Sequence, residues 1–245
     1  MAAHIDGALV VTGGSRGIGY AIARALISEG CSVVLTARSS QALSKPADAL
    51  RLECPAAGAP GPQVVAAVCD VRNAEAVERL FAQVKEQFGR LDILVNNAGI
   101  SQSSTPVEDT SIELWRDIID SNLTGTFLCT RFAVPLMQRG GTILNVLSVA
   151  AREHFPGYTP YNASKAGALG FTLTVRQELM ERGIRVTALL PGGTNTDVWE
   201  QVNPDVSRDK LIEVETIARL VLEAVVLSPK ANLTELVLDP IGGPF

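Results

Sequence analysis

The chain has 245 residues, 47% of them hydrophobic, and a formal net charge of −5. That is enough apolar material to bury a core as one α/β domain or two small ones, and the charge gives no electrostatic reason to expect a nucleic-acid partner. No apolar run approaches the ~20 residues of a membrane span and the N-terminal residues do not read as a signal peptide, so a cytoplasmic protein without a membrane partner is expected.

The first element is a strand at 8–12, an apolar run too short for a helix and suited to burial on both faces. It leads into Gly13-Gly14-Ser15-Arg16-Gly17-Ile18-Gly19 and then a helix at 18–29. In a strand–loop–helix unit, glycines permit positive φ and let backbone amides approach a pyrophosphate at the positive end of the helix. Gly13, Ser15, Arg16, Gly17, Ile18 and Gly19 are therefore candidate cofactor-binding residues. The next strand, 32–37, ends at Thr36-Ala37, where an NAD site would place a carboxylate on the ribose 2′-hydroxyl. Arg38 follows instead. Either Arg16 or Arg38 alone is an ordinary surface charge; together, with the acid missing, they suit a 2′-phosphate and point to NADP(H).

The remaining elements are helix 41–53, strand 63–68, helix 73–89, strand 93–96, helix 112–139, strand 141–147, helix 158–182, strand 184–190, helix 213–227 and strand 234–239. The proline- and glycine-rich stretch 55–62 falls between a helix and a strand, so it reads as a surface loop and not a boundary. There is no repeat or low-complexity segment. A single domain over 1–245 is expected, an α/β, Rossmann-type doubly wound parallel sheet with helices on both faces. Ligands of such sheets bind beyond the carboxyl ends of the strands, and residues 13–19, 38, 70, 96–99, 148 and 191–196 all follow strand ends.

Tyr161 and Lys165 lie four residues apart on one helical face. A free phenol titrates near 10, and a neighbouring cation would stabilise the phenolate and bring it towards neutral pH. Alone, this pair is an ordinary surface pattern; its weight comes from its company.

That company resembles the short-chain dehydrogenase/reductase family over nearly the whole chain. Thr12-Gly13-Gly14-Ser15-Arg16-Gly17-Ile18-Gly19 matches the family's TGxxxGxG, and Asp70-Val71 stands where the family sets an Asp against the adenine. Asn96-Asn97-Ala98-Gly99 matches NNAG, and Pro191-Gly192-Gly193-Thr194-Asn195-Thr196 matches the PGxxxT segment that covers the nicotinamide. Asn122, Ser148, Tyr161 and Lys165 match the catalytic tetrad. The resemblance implies that Tyr161 protonates a substrate carbonyl oxygen while hydride attacks its carbon. It also implies that Lys165 lowers the Tyr161 pKa and holds the nicotinamide ribose. Ser148 is implied to bond the same carbonyl oxygen, and Asn122 to hold a water in a proton relay. It assigns cofactor contacts to Asp70, Val71, Asn97, Ala98, Gly99, Pro191, Gly192, Thr194 and Thr196 as well. Read without the family, Ser148 is a turn cap and Asn122 a backbone partner.

Other features carry less. Cys31, Cys54, Cys69 and Cys129 show no ligand spacing with the two histidines, so no metal is expected, and Cys31 and Cys69 read as small apolar fillers. The sequons at Asn122, Asn162 and Asn232 read as chance matches. His154 reads as a solvated loop residue and His4 carries no signal, whereas Val198 and Trp199 could form an apolar lid. Pro240 interrupts the tail that helps many family members assemble as tetramers. Arg139 and Arg182 fall near the docking positions of carrier-protein reductases, or simply suit the ends of long helices. A reductase of a small ketone or aldehyde is thus expected, with a thioester-linked substrate left open and a homodimer or homotetramer through the two long helices. An oxidative alcohol dehydrogenase and a non-catalytic NADPH sensor are the competing readings.

Overall fold

A computed structural model describes residues 7–54, 61–228 and 230–242. His4, residues 243–245 and most of the expected loop at 55–62 lie outside the described residues. The strands are β1 (Ala8–Val11), β2 (Ser32–Ala37), β3 (Val64–Val68), β4 (Leu91–Asn96), β5 (Met137–Val146), β6 (Arg185–Pro191) and β7 (Glu235–Leu238). Between them run α1 (Gly17–Ser28), α2 (Ser40–Glu53), α3 (Ala74–Phe88), α4 (Ile112–Ile119), α5 (Gly125–Ala133), α6 (Thr159–Leu179), the short α7 (Trp199–Val202) and α8 (Val214–Val226).

The strands form one parallel sheet in the order β3-β2-β1-β4-β5-β6-β7. Because side chains alternate along a strand, Leu9 and Val11 face one apolar layer while Val10 faces the other. α1, α2 and α8 close the first layer with Ile22, Leu26, Leu50 and Val221; α3, α5 and α6 close the second with Leu80, Phe81, Cys129 and Val175. Chain order reverses between β1 and β4, which opens the crevice beyond their carboxyl ends. The four cysteines are free thiols, three of them buried, and no described helix is long and apolar enough to cross a membrane.

The largest departure from the sequence reading lies in 112–139, expected as one helix. It is α4, a π-helical turn at Asp120–Thr124, α5, and a 3-10 turn at Val134–Leu136, after which β5 already begins at Met137. Pro135 has no N–H to continue the ladder, so the helix ends there. The helix expected at 158–182 ends at Leu179, where the chain turns through Gly183 at φ 69°. Both arginines consequently lose their helix-end setting. Arg139 lies within β5 and donates to the Glu181 carbonyl at 3.1 Å, and Arg182 donates to the Val134 carbonyl at 2.9 Å.

A buried polar chain ties the sheet to the second helical layer. Asn96 Nδ2 donates to Thr130 Oγ1 at 3.0 Å and to Asn145 Oδ1 at 2.8 Å; Asn145 Nδ2 donates to Thr172 Oγ1 at 2.8 Å. All four side chains are buried. Asn145→Ala leaves donor and acceptor groups unpaired in a dry site and should cost about 2–4 kcal/mol in a denaturant titration, more than Thr172→Val.

Candidate active site

The crevice is built from a seam between the glycine loop and the loop after β4. Thr12 Oγ1 accepts from the backbone N–H groups of Asn97 and Ala98, each at 3.0 Å, and Asn97 Nδ2 donates to the Thr12 and Gly13 carbonyls, also at 3.0 Å. Gly13 adopts φ 62°, and a Cβ there would stand 2.9 Å from Ala98 Cα. At Gly19, which turns inward against Asn97 instead of facing the crevice, a Cβ would come within 2.7 Å of the Gly13 carbonyl. The glycines are thus required by close backbone approach as well as by φ.

Over this seam opens a cavity of about 680 Å³. Of the residues expected to bind the cofactor, Gly13, Ser15, Arg16, Gly17, Ile18, Arg38, Asp70, Val71, Asn97, Ala98, Gly99, Tyr161, Lys165 and Thr196 line it. At its outer end no carboxylate follows β2; Arg38 and Ser39 line the wall there, and Ser39 caps the N-terminus of α2 through Ala42 N–H. A positive helix end, a hydroxyl and the Arg38 guanidinium fit a 2′-phosphate. Ser39 escaped the sequence reading, although a serine just ahead of a helix is a recognisable cap signal. Arg16 meets Asp197 at 3.4 Å across the mouth, both well exposed.

Asp70 is not left waiting for a base. Arg72 grips it in bidentate fashion, Nη2 to Oδ2 at 2.7 Å and Nε to Oδ1 at 3.0 Å, and reaches Asp117 on α4 at 2.9 Å. These hydrogen bonds hold the Asp70 carboxyl below its usual range against the opposing effect of burial. The sequence reading did not single out Arg72, whose second partner, Asp117, is 45 residues away.

At the inner end, α6 delivers Tyr161 and Lys165 together. The Lys165 ammonium is buried, lies 5.6 Å from the centroid of the Tyr161 ring and donates to the Val146 carbonyl at 3.1 Å. Burial lowers its pKa to about 8. The expectation that Lys165 pulls the Tyr161 pKa down is not met in this structure. Burial raises it, because the phenol has lost solvent, and a hydrogen bond with Ser148 opposes the rise. Ser148 Oγ also accepts from Ala150 N–H at 3.1 Å, capping the turn. Asn122 lies in the π-helical turn with both amide protons engaged: Nδ2 donates to the Ile100 carbonyl and to Ser164 Oγ, each at 3.0 Å. Its Oδ1 accepts from Ile100 N–H at 2.8 Å. Gly99 makes this packing possible, since a Cβ there would lie 2.9 Å from Asn122 Oδ1.

Tyr161 also lines a second, contiguous cavity of about 360 Å³, together with Ser148 and the segment after β6. Pro191, Gly192 and Thr194 face this second space; of that segment's candidates, Thr196 faces the first. Val198 and Trp199, the residues expected as an apolar lid, line this cavity, with Trp199 Nε1 donating to the Thr194 carbonyl at 2.8 Å. Asp239 and Pro240 close the far side, a contribution the sequence hinted at only through its departure at Pro240. His154 is exposed and lines neither cavity. Among the described residues no cluster of His, Cys, Asp and Glu could hold a metal ion.

The comparisons agree with this architecture. The model of the short chain dehydrogenase family matches residues 8–207. A 3-oxoacyl-[acyl-carrier-protein] reductase of Synechocystis sp. is 43% identical over 199 residues, covering 80% of this chain and 77% of that one. Among solved structures, an alcohol dehydrogenase from the archaeon Thermococcus sibiricus complexed with 5-hydroxy-NADP superposes with a TM-score of 0.85 at 30% identity, covering 96% of this chain and 97% of that one. A short chain dehydrogenase from Burkholderia cenocepacia in complex with NADP gives a TM-score of 0.86 at 28% identity, with 98% of each chain covered. The chain belongs to the short-chain dehydrogenase family.

The buried ammonium has a consequence for stability. Folding lowers the Lys165 pKa, so the folded state carries the full penalty below about pH 8 and loses it as pH rises towards the ordinary value of 10.5. Lys165→Met should stabilise the ligand-free protein at pH 7 by on the order of 2 kcal/mol, after allowance for the lost bond to Val146. That advantage should fade between pH 8 and 10.5 in denaturant midpoints measured for both proteins.

Proposed function

With family membership as the premise, we propose that the chain is an NADP(H)-dependent reductase of a small ketone or aldehyde, acting in the cytoplasm as a homodimer or homotetramer. One observation carries the reading: Tyr161 faces both cavities, with the Ser148 hydroxyl against its phenol and the Lys165 ammonium behind it. Arg38 and Ser39, following β2 in the wall of the larger cavity, support NADP(H) over NAD(H), in keeping with the NADP complexes of similar structures. Exposed Ile112, Trp115 and Phe127 on α4 and α5 support an assembly through these helices.

When bound, NADPH supplies the hydride. A phenol held neutral by burial is a proton donor at pH 7, and Tyr161 gives its proton to the alkoxide that develops on the substrate. Ser148 donates a hydrogen bond to the same oxygen and so favours the charge-bearing transition state. Lys165 is the cation placed to hold the nicotinamide ribose. Asn122 acts as a positioning residue, joining the loop at Ile100 to Ser164 on α6. The 43% identical carrier-protein reductase supports a second reading, in which the carbonyl belongs to a 3-oxoacyl thioester. Arg139 and Arg182, the residues expected near docking positions, each donate to a backbone carbonyl and keep their charge at the surface.

NADPH oxidation against diketones, aldehydes, quinones and acetoacetyl thioesters tests the reading directly. Tyr161→Phe should reduce turnover at least ~100-fold and leave NADPH binding intact; near-full activity would remove Tyr161 from the mechanism. Arg38→Ala should weaken NADPH binding about tenfold more than NADH binding in parallel titrations, and equal losses would end the 2′-phosphate assignment.

A further inference from the structure

The second cavity has a composition that narrows the substrate. This inference rests on the reading of the protein as a carbonyl reductase. Apart from the polar end at Ser148 and Tyr161, much of the wall is apolar or aromatic, with Phe155, Pro156, Tyr158, Trp199 and Val202 facing it. None of the described residues lining it is Lys, Arg or His, and the one acid is Asp239. Arg152, on the loop ahead of Phe155, is paired with Glu235.

Asp239 is held at this edge by the sheet. It follows β7, whose Leu238 pairs with Pro191 in β6 and accepts from Gly192 N–H at 2.7 Å. A Cβ on Gly192 would stand 3.2 Å from Asp239 Oδ1, so the carboxylate lies directly against the segment that walls the cavity. An anionic group entering here would lose hydration against the apolar wall without gaining a cation from it, and would meet the like charge of Asp239, itself exposed and partly screened by solvent.

We propose that this cavity selects a compact, uncharged, apolar carbonyl compound, and that Asp239 is the residue that discriminates against an anionic far end. The volume of about 360 Å³ agrees, lying near the small end of ligand pockets. Anion rejection then has two sources, the apolar wall and the carboxylate, and Asp239→Asn removes only the second.

The test uses a matched pair, methyl 4-oxocyclohexanecarboxylate and the corresponding free carboxylate, titrated calorimetrically into the enzyme–NADP⁺ complex. The ester should bind at least about tenfold more tightly, and Asp239→Asn should narrow the ratio by about fivefold. Equal binding of the pair, failure of both to bind, or a ratio unchanged in Asp239→Asn would overturn the proposal. Reduction of the ester is read separately with NADPH. Binding with the charge preference intact but no turnover of any carbonyl would count against the reductase reading, whereas turnover of ester and carboxylate alike would count against the charge preference alone.

Discussion

The buried ammonium of Lys165 is the constraint around which the site is organised. Only 7% of the residue is exposed, and lowering its pKa to about 8 corresponds to a penalty of about 3 kcal/mol at neutral pH. Such a cation persists because the two apolar layers on either face of the sheet supply stability in excess. It also needs partners that a close-packed site must make room for. Val146 offers its carbonyl because β5 ends there, and Gly99 lacks the side chain that would keep Asn122 and Lys165 apart. The π-helical turn sets Asn122 facing the Ile100 backbone, where it fixes the loop beside the ammonium.

Rigidity at the cofactor end has a different origin. Thr12, Asn97 and Ala98 stitch two adjacent strand ends with hydrogen bonds of 3.0 Å, so the protein's own backbone shapes the crevice at the switch between β1 and β4. Arg72 extends that preorganisation outward by locking Asp70 and linking it to α4. Binding therefore loses little freedom of the protein's own groups, and what a dinucleotide gains from the backbone is not spent on ordering loops.

Sequence alone revealed this half of the molecule well, and the reasons are local. Leu9, Val10 and Val11 are buried on two faces and leave an unmistakable apolar run, and the glycines that a tight approach demands follow immediately. Spacing on α6 correctly placed Tyr161 beside Lys165. What spacing could not give was the solvent each had lost, and that reversed the direction of the Tyr161 shift. Nor could composition separate α4, the π-helical turn and α5, since a change of hydrogen-bond register leaves no mark on residue type. The end of α5 was visible in Pro135 and was overrun because Val134, Leu136 and Met137 prolong the apolar pattern.

The substrate half resisted for a physical reason. Its walls come from the Phe155 loop, α7 and the stretch after β7, which meet only in three dimensions and share no periodicity. α7 has no buried residue, and bonds to backbone carbonyls hold it, Trp199 Nε1 to Thr194 and Ser103 Oγ to Gln201, each at 2.8 Å. Partly exposed bonds of this kind open at a smaller free-energy cost than packed apolar contacts, so the lid is the part of the site best able to part for an incoming molecule. Asp239 and Pro240 directly follow β7, whose last residue, Leu238, is paired with Pro191. The cavity thus joins a wall that yields in shape to an edge that does not yield in charge, and discrimination by charge survives whatever adjustment the lid makes to size.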